Sequence, residues 1–233
     1  MSRTNKPEAQ ELNTSAYAIL GLLAIGAHSA YELTRQMERT LRFFWPRAVS
    51  KLYEAPKLLA SLGFARATRE STGRRPRTRY AITAEGLEVL RRWLGTPEIA
   101  PLELESEALL RVWFGRFGTI EDLRAAIQHV QAQARSNLRW GTLVAQEYLA
   151  EGVPQERGHL GALTFRFLWD FNVMLDAWAT WSQREVSEWD DVEPTAERMD
   201  RAAAILREAV AERLPPPSAG RGRAEQRKEA RRR

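Results

Sequence analysis

The stretch FARATRESTGRRPRTRYAIT, Phe64 to Thr83, decides the fold. FARATR and TRYAI have the residue types of short strands. In the second, Thr78, Tyr80 and Ile82 point one way while Arg77, Arg79 and Ala81 point the other. Gly73 and Pro76 shape the turn between them, and Arg74, Arg75, Arg77 and Arg79 crowd around it, so the segment reads as a basic β-hairpin.

Three helices precede the hairpin. Thr14 is placed to cap the first, with Ala16, Ile19, Leu20 and Leu23 at helical spacing and Gly26 as its stop. Ser29 followed by Glu32 is a capping-box pattern that opens the second, with Leu33, Met37 and Leu41 as its buried stripe. In FFWPRAVSKLYEAPKLLASLG, Phe43 to Gly63, Pro46 restarts the chain. Leu52, Ala55, Leu59 and Leu62 fall on one face, and Gly63 ends the third helix. The other face carries Arg47, Ser50, Lys51, Tyr53, Glu54 and Lys57, and the interior Pro56 is expected to bend the helix. After the hairpin, Thr83 caps a fourth helix with Leu87, Leu90 and Leu94 inward, ending at Gly95 and Pro97.

Helix, helix, helix, hairpin, helix is the order of a winged helix-turn-helix. The expected fold class is therefore mainly α with a small β-hairpin, and the winged domain spans residues 12–95. TPEIAPL, 96–102, reads as a linker. Beyond it the pattern is helical over about 104–117, 120–150, 160–184 and 196–214, a second domain of 104–214, with breaks at Pro154 and Pro194. Residues 215–233 are nearly free of apolar side chains and read as a disordered basic tail.

Charge follows this division. Residues 1–95 hold 16 Lys and Arg against 8 Asp and Glu, residues 96–217 hold 12 against 20, and residues 218–233 hold 7 against 2. A basic first domain implies a polyanionic partner, and the third helix and the wing are the elements that can meet DNA grooves and phosphates. Absence of cysteine excludes disulfides and thiolate metal sites, no 18-residue apolar run implies a membrane span, and the N-terminus lacks a signal-peptide pattern. The expectation is a soluble cytoplasmic protein.

TFRFLWDFNVMLDAWATWSQ, Thr164 to Gln183, is apolar on nearly every side of a helix and needs cover that a partner subunit would supply. Phe165, Trp169, Met174, Trp178 and Trp181 form either a plain dimer interface or one that also holds a flat aromatic ligand. Asp170 finds an ion-pair partner four residues earlier in Arg166. His28, His129 and His159 lie far apart, with no metal spacing, nucleophile elbow or phosphate loop. Neither an enzyme nor a cofactor is expected.

YAILGLLA, GAHSAYEL, FFWPRAVSKLYEAPKLLASLGFA and GRRPRTRYAITAEG resemble, in order and spacing, the successive signature segments of the PadR-like transcriptional regulators. Ala30, where the family commonly has glycine, is a departure. The resemblance implies a homodimeric regulator, usually a repressor, that binds palindromic operator DNA and is held together by its C-terminal helices. It carries DNA contacts over to Tyr17, Ser50, Lys51, Tyr53, Arg74, Arg75 and Arg77, beside which the outward Arg47 and Lys57 stand on charge and position. A protein-interaction adaptor that reuses the winged domain is the rival reading, and the basic third-helix face and wing speak against it.

Overall fold

The computed structural model describes residues 12–39, 41–45, 53–72, 75–153 and 156–211. Helix α1 (Thr14–Ile25) is followed by a two-residue strand β1 (His28–Ser29) and by α2 (Ala30–Arg39). A 3-10 turn at Leu41–Phe43 and helix α3 (Ala55–Ser61) lead to the hairpin β2 (Ala65–Thr72) and β3 (Arg75–Ile82), then to α4 (Ala84–Leu94). These elements are a winged helix with a three-stranded antiparallel sheet in the order β1-β3-β2. Both hairpin strands run longer than their sequence pattern suggests. β1 escapes the sequence reading because a strand of two residues has no periodicity to show.

Local signals behave with instructive shifts. The first helix is capped by Asn13, whose side chain accepts from the Ala16 N–H at 2.9 Å, and not by Thr14. Asn and Thr are both competent caps, and periodicity fixes a boundary only to within a residue or two. At α2 the capping box forms as read: the Ser29 N–H donates to Glu32 at 2.7 Å, and the Glu32 N–H donates to the Ser29 hydroxyl at 3.3 Å. The Ser29 N–H holds the Glu32 carboxyl below the ordinary carboxylate range.

Pro56 stands in the first turn of α3, where it costs no helical hydrogen bond, so the expected bend gives way to a helix start. Gly63, at φ +78°, ends that helix in a Schellman motif, the Gly63 N–H donating to the Ala60 carbonyl at 3.1 Å and the Phe64 N–H to that of Leu59 at 2.9 Å. On α4 the inward positions are Gly86, Val89, Leu90 and Trp93, whereas Leu94 is 69% exposed. Leu94 lies between Leu87 and Leu90 on the helix, about 90° round from the middle of the Gly86, Val89, Leu90 and Trp93 stripe that the core covers.

The winged core is built on α1, whose Ile19, Leu20 and Leu23 are fully enclosed, with Leu33 and Met37 of α2, Leu59 of α3, Tyr80 of β3 and Leu90 of α4. The face of β3 bearing Tyr80 and Ile82 packs inward, as the alternation requires. Arg79, on the other face, is tied down: its guanidinium donates to the Ala27 carbonyl at 2.6 Å and lies 3.8 Å from Glu70.

Four further helices follow: α5 (Glu107–Trp113), α6 (Ile120–Glu151), α7 (Gly158–Glu185) and α8 (Ala196–Ala211). α5 is shorter than the 104–117 expected, because a 3-10 turn at Gly115–Phe117 takes over after it. The chain packs as two units, one of residues up to Glu105 with Ser136–Met174, the other of Ser106–Arg135 with the residues from Leu175 on. The region expected as a single domain over 104–214 is thus shared between them. In the first unit Asn137 donates to Asn172 at 2.9 Å, and Arg166 pairs with Asp170 at 2.7 Å as read from spacing. In the second, Ile120, Leu123, Ile127, Ala179 and Val186 form a core. Gln131 donates to Thr180 and Arg135 to Asp176, while Arg124 donates to the carbonyls of Val186, Ser187 and Trp189, closing the end of α7. Among the described residues no helix is long and apolar enough to cross a membrane.

Two substitutions test this packing by chemical denaturation. A Cβ at Gly86 would stand 2.1 Å from the Phe64 carbonyl oxygen and 2.9 Å from its carbon, both rigid backbone atoms. Gly86→Ala is therefore expected to destabilise the winged domain by about 2 kcal/mol or more, as forced overpacking does. Arg79→Ala, which strips a charged donor from a main-chain carbonyl, should cost about 1–2 kcal/mol, against less than about 0.5 for the exposed Arg77→Ala.

Candidate DNA interface

The hairpin presents its cations in two rows set by register. Arg66 opposite Ala81, Thr68 opposite Arg79 and Glu70 opposite Arg77 share the outer face, and Arg69 opposite Thr78 shares the face that carries Tyr80 nearer the core. Arg66, Arg69 and Arg77 are exposed. Arg75 begins β3 opposite Thr72, and Arg74 lies outside the described residues. Arg66 and Arg69 add to the candidate set. Alternation in FARATR places both at strand positions, away from the turn around which the other arginines cluster.

The hairpin is anchored where it meets the helices. The Thr83 N–H donates to the Phe64 carbonyl at 3.1 Å, and its hydroxyl donates to the Gly63 carbonyl at 2.7 Å and accepts from the Gly86 N–H at 3.0 Å. The wing is therefore a projection of fixed origin, and its guanidiniums can reach phosphate bidentately or enter a narrow minor groove.

Arg47, Ser50 and Lys51, the heart of the sequence-derived set on the third helix, lie outside the described residues. Tyr53 and Lys57 are described and exposed, Tyr53 by 67%, which fits an outward face. Tyr17 is differently placed: its ring stacks on Trp93 at 4.8 Å and 8° and packs against the winged core. One face of the ring is thus committed to the fold.

The aromatic residues read from α7 separate. Phe165 and Trp169 are half-buried and stacked at 5.9 Å. With Thr142, Ala145, Gln146 and Leu149 of α6 and with Arg166, they line a shallow concavity of about 280 Å³. Gly141 leaves ordinary contact space beneath the Trp169 ring. Trp178 packs against the core of the second unit, whereas Met174 and Trp181 are 50% and 40% exposed. The structure therefore does not gather these five into one site. A helix apolar all round divides its aromatics between neighbouring elements and solvent.

No family model matches the sequence. A curated relative, the negative transcriptional regulator PadR of Bacillus subtilis, is 33% identical over 100 residues, 42% of this chain and 54% of the relative. The chain spans about half the length of the curated relatives it matches. Among solved structures, a PadR-like transcriptional regulator from Bacillus cereus superposes with a TM-score of 0.64 at 17% identity, over 75% of this chain and 98% of the other. Bacillus subtilis PadR in complex with operator DNA gives 0.60 at 22% identity, over 72% and 96%. The same regulator with p-coumaric acid gives 0.57 at 21%, over 76% and 99%. These relatives are regulators of transcription and not enzymes. Over about 100 residues the sequence is similar to that of Bacillus subtilis PadR, and about three quarters of the chain shares the fold of the solved PadR-like regulators.

Proposed function

We propose that the chain is a DNA-binding transcriptional repressor that grips palindromic operator DNA as a homodimer and is released by a small aromatic effector. The observation that carries the reading is the exposed cationic hairpin, Arg66, Arg69 and Arg77 on a winged helix whose Tyr53 and Lys57 also face outward. Arg47, Ser50, Lys51 and Tyr53 enter the major groove and meet base edges, while Arg74, Arg75 and Arg77 bind phosphate. Bacillus subtilis PadR, solved with operator DNA, supports duplex DNA as the partner.

The helices of 104–214 make the dimer in this reading. Leu160, Phe167, Met174 and Trp181 recur every seven residues along α7, and each is between 40% and 58% exposed. A seven-residue apolar period left open to solvent is the pattern by which one helix seeks another. The effector site is the concavity beside Phe165 and Trp169, a reading supported by the p-coumaric acid complex of Bacillus subtilis PadR. A modest shift at the dimer interface suffices for release, since two reading heads must sit about one DNA turn, roughly 34 Å, apart.

Gel shifts on DNA upstream of the chain's own gene, run over a series of salt concentrations, test the DNA-binding part. Replacing Arg74, Arg75 and Arg77 with Ala should leave the fold intact and weaken binding to specific and random duplex alike. The log–log salt slope should flatten by roughly one unit per lost phosphate contact. A folded triple variant with unchanged affinity and slope would make the arginines solvating charge and bring back the adaptor reading. Sedimentation of the full chain should give a dimer at micromolar concentration, and a stable monomer there would remove the palindrome reading.

A further inference from the structure

Trp140 and Glu147 stand seven residues apart on one side of α6, and both meet the segment that leads into the third helix of the winged domain. Arg39, the last residue of α2, donates through Nη2 to Glu147 Oε2 at 2.6 Å. Arg42, in the 3-10 turn that follows, holds its guanidinium 4.7 Å from the Phe43 ring centre and 5.9 Å from that of Trp140, within cation–π range of both. Gly141, Thr142, Ala145 and Leu149 occupy the opposite side of α6, where they border Phe165 and Trp169 of α7. The C-terminal half of α6, from Ser136 on, is therefore a strut, with α2 on one flank and Phe165 and Trp169 of α7 on the other, all inside one unit.

We infer that Trp140 and Glu147 are positioning residues for DNA reading. By holding the end of α2 and the 3-10 turn, they set the angle at which the reading face of the winged domain, where Tyr53 and Lys57 are exposed, meets the duplex. The inference rests on the DNA-binding reading above. The clamp has little to do with folding: both side chains of the Arg39–Glu147 pair are more than a third exposed, and such pairs add little stability. The inner face of α2 is secured without it, by Leu33 and Met37 in the winged core. Contacts that scarcely stabilise a fold yet fix one helix against another act on orientation, and weak ones can be reset by events on the far flank of the strut.

The test uses the full-length chain with Glu147→Gln, Trp140→Leu and the pair combined. Glu151→Gln, the same charge change one turn further along α6, is the control. Affinity is measured for the best-bound duplex from upstream of the chain's own gene and for a random duplex of equal length, beside melting temperature. Relative to the control, each single change should weaken the preferred duplex roughly threefold and the combination roughly tenfold. Random-duplex affinity, salt slope and melting temperature should not move, because no phosphate contact is lost. Trp140→Phe, which keeps a ring near Arg42, should bind as the unmodified chain does.

Variants that bind the preferred duplex as the control does would overturn the inference. Tighter binding would overturn it too, by showing that Glu147 merely restrains Arg39 from a phosphate. A fall in melting temperature in step with affinity would mark a role in folding alone. If the unmodified chain prefers no duplex over random DNA, the DNA-binding reading itself falls and takes the inference with it. Failure confined to the variants leaves that reading standing.

Discussion

Thr83 ties four elements together at one residue. Its N–H and hydroxyl donate to consecutive carbonyls, those of Phe64 and Gly63, where the chain leaves α3 for β2. Its hydroxyl oxygen also accepts the Gly86 N–H and so starts α4 directly after β3. A β-branched hydroxyl residue can do this because one oxygen donates and accepts at once, while its own extended backbone leaves the N–H pointing at the neighbouring strand. The arrangement requires α4 to approach the Phe64 carbonyl more closely than any side chain permits, which is why residue 86 is glycine.

From that junction the wing acquires its direction. β3 is the central strand, hydrogen-bonded to β1 on one side and β2 on the other, and its inner Tyr80 is buried in the winged core. Its outer arginines then divide by distance from the junction. Arg79 is drawn back to the Ala27 carbonyl and becomes part of the sheet's attachment to α1, whereas Arg77, two residues further out, is exposed. Identical side chains two positions apart on one face therefore serve different ends, one structural and one available to a polyanion. The difference arises from where the carbonyl of a neighbouring loop happens to lie.

This explains which parts of the molecule were legible in the sequence. Signals carried by a few adjacent residues transferred directly: the Ser29–Glu32 box, the Gly63 terminus, the Thr83 cap, the alternation of β3 and the Arg166–Asp170 pair. Signals that depend on distant partners did not. β1 exists because β3 offers it an edge, and the exposure of Leu94 follows from how far round α4 the core extends. Pro56 shows the same limit, since whether a proline bends a helix or begins one depends on where the helix starts. Within the candidate site, outward cations on a wing could be read from period two, while the stacking of Tyr17 on Trp93 joins α1 to α4 across 76 residues and leaves no local trace.

The charge division read from the sequence acquires a structural meaning in the helical part of the chain. Many of its acids are occupied within it: Glu107 by Arg111, Asp176 by Arg135, Glu185 by Arg201 and Asp191 by Arg198, each at 2.6 or 2.7 Å. Pairs as exposed as these add little to stability, so their number is no argument for a robust fold. Pairing does not cancel the excess of acids over bases in residues 96–217, and the field of that excess repels a duplex at distances beyond contact. On the proposed reading, a polyanion is drawn to the arginines of the wing and turned away from the helices. Long-range electrostatics then selects the orientation of approach before any base edge is met, and the short-range contacts of the third helix have only to choose among sequences presented the right way round.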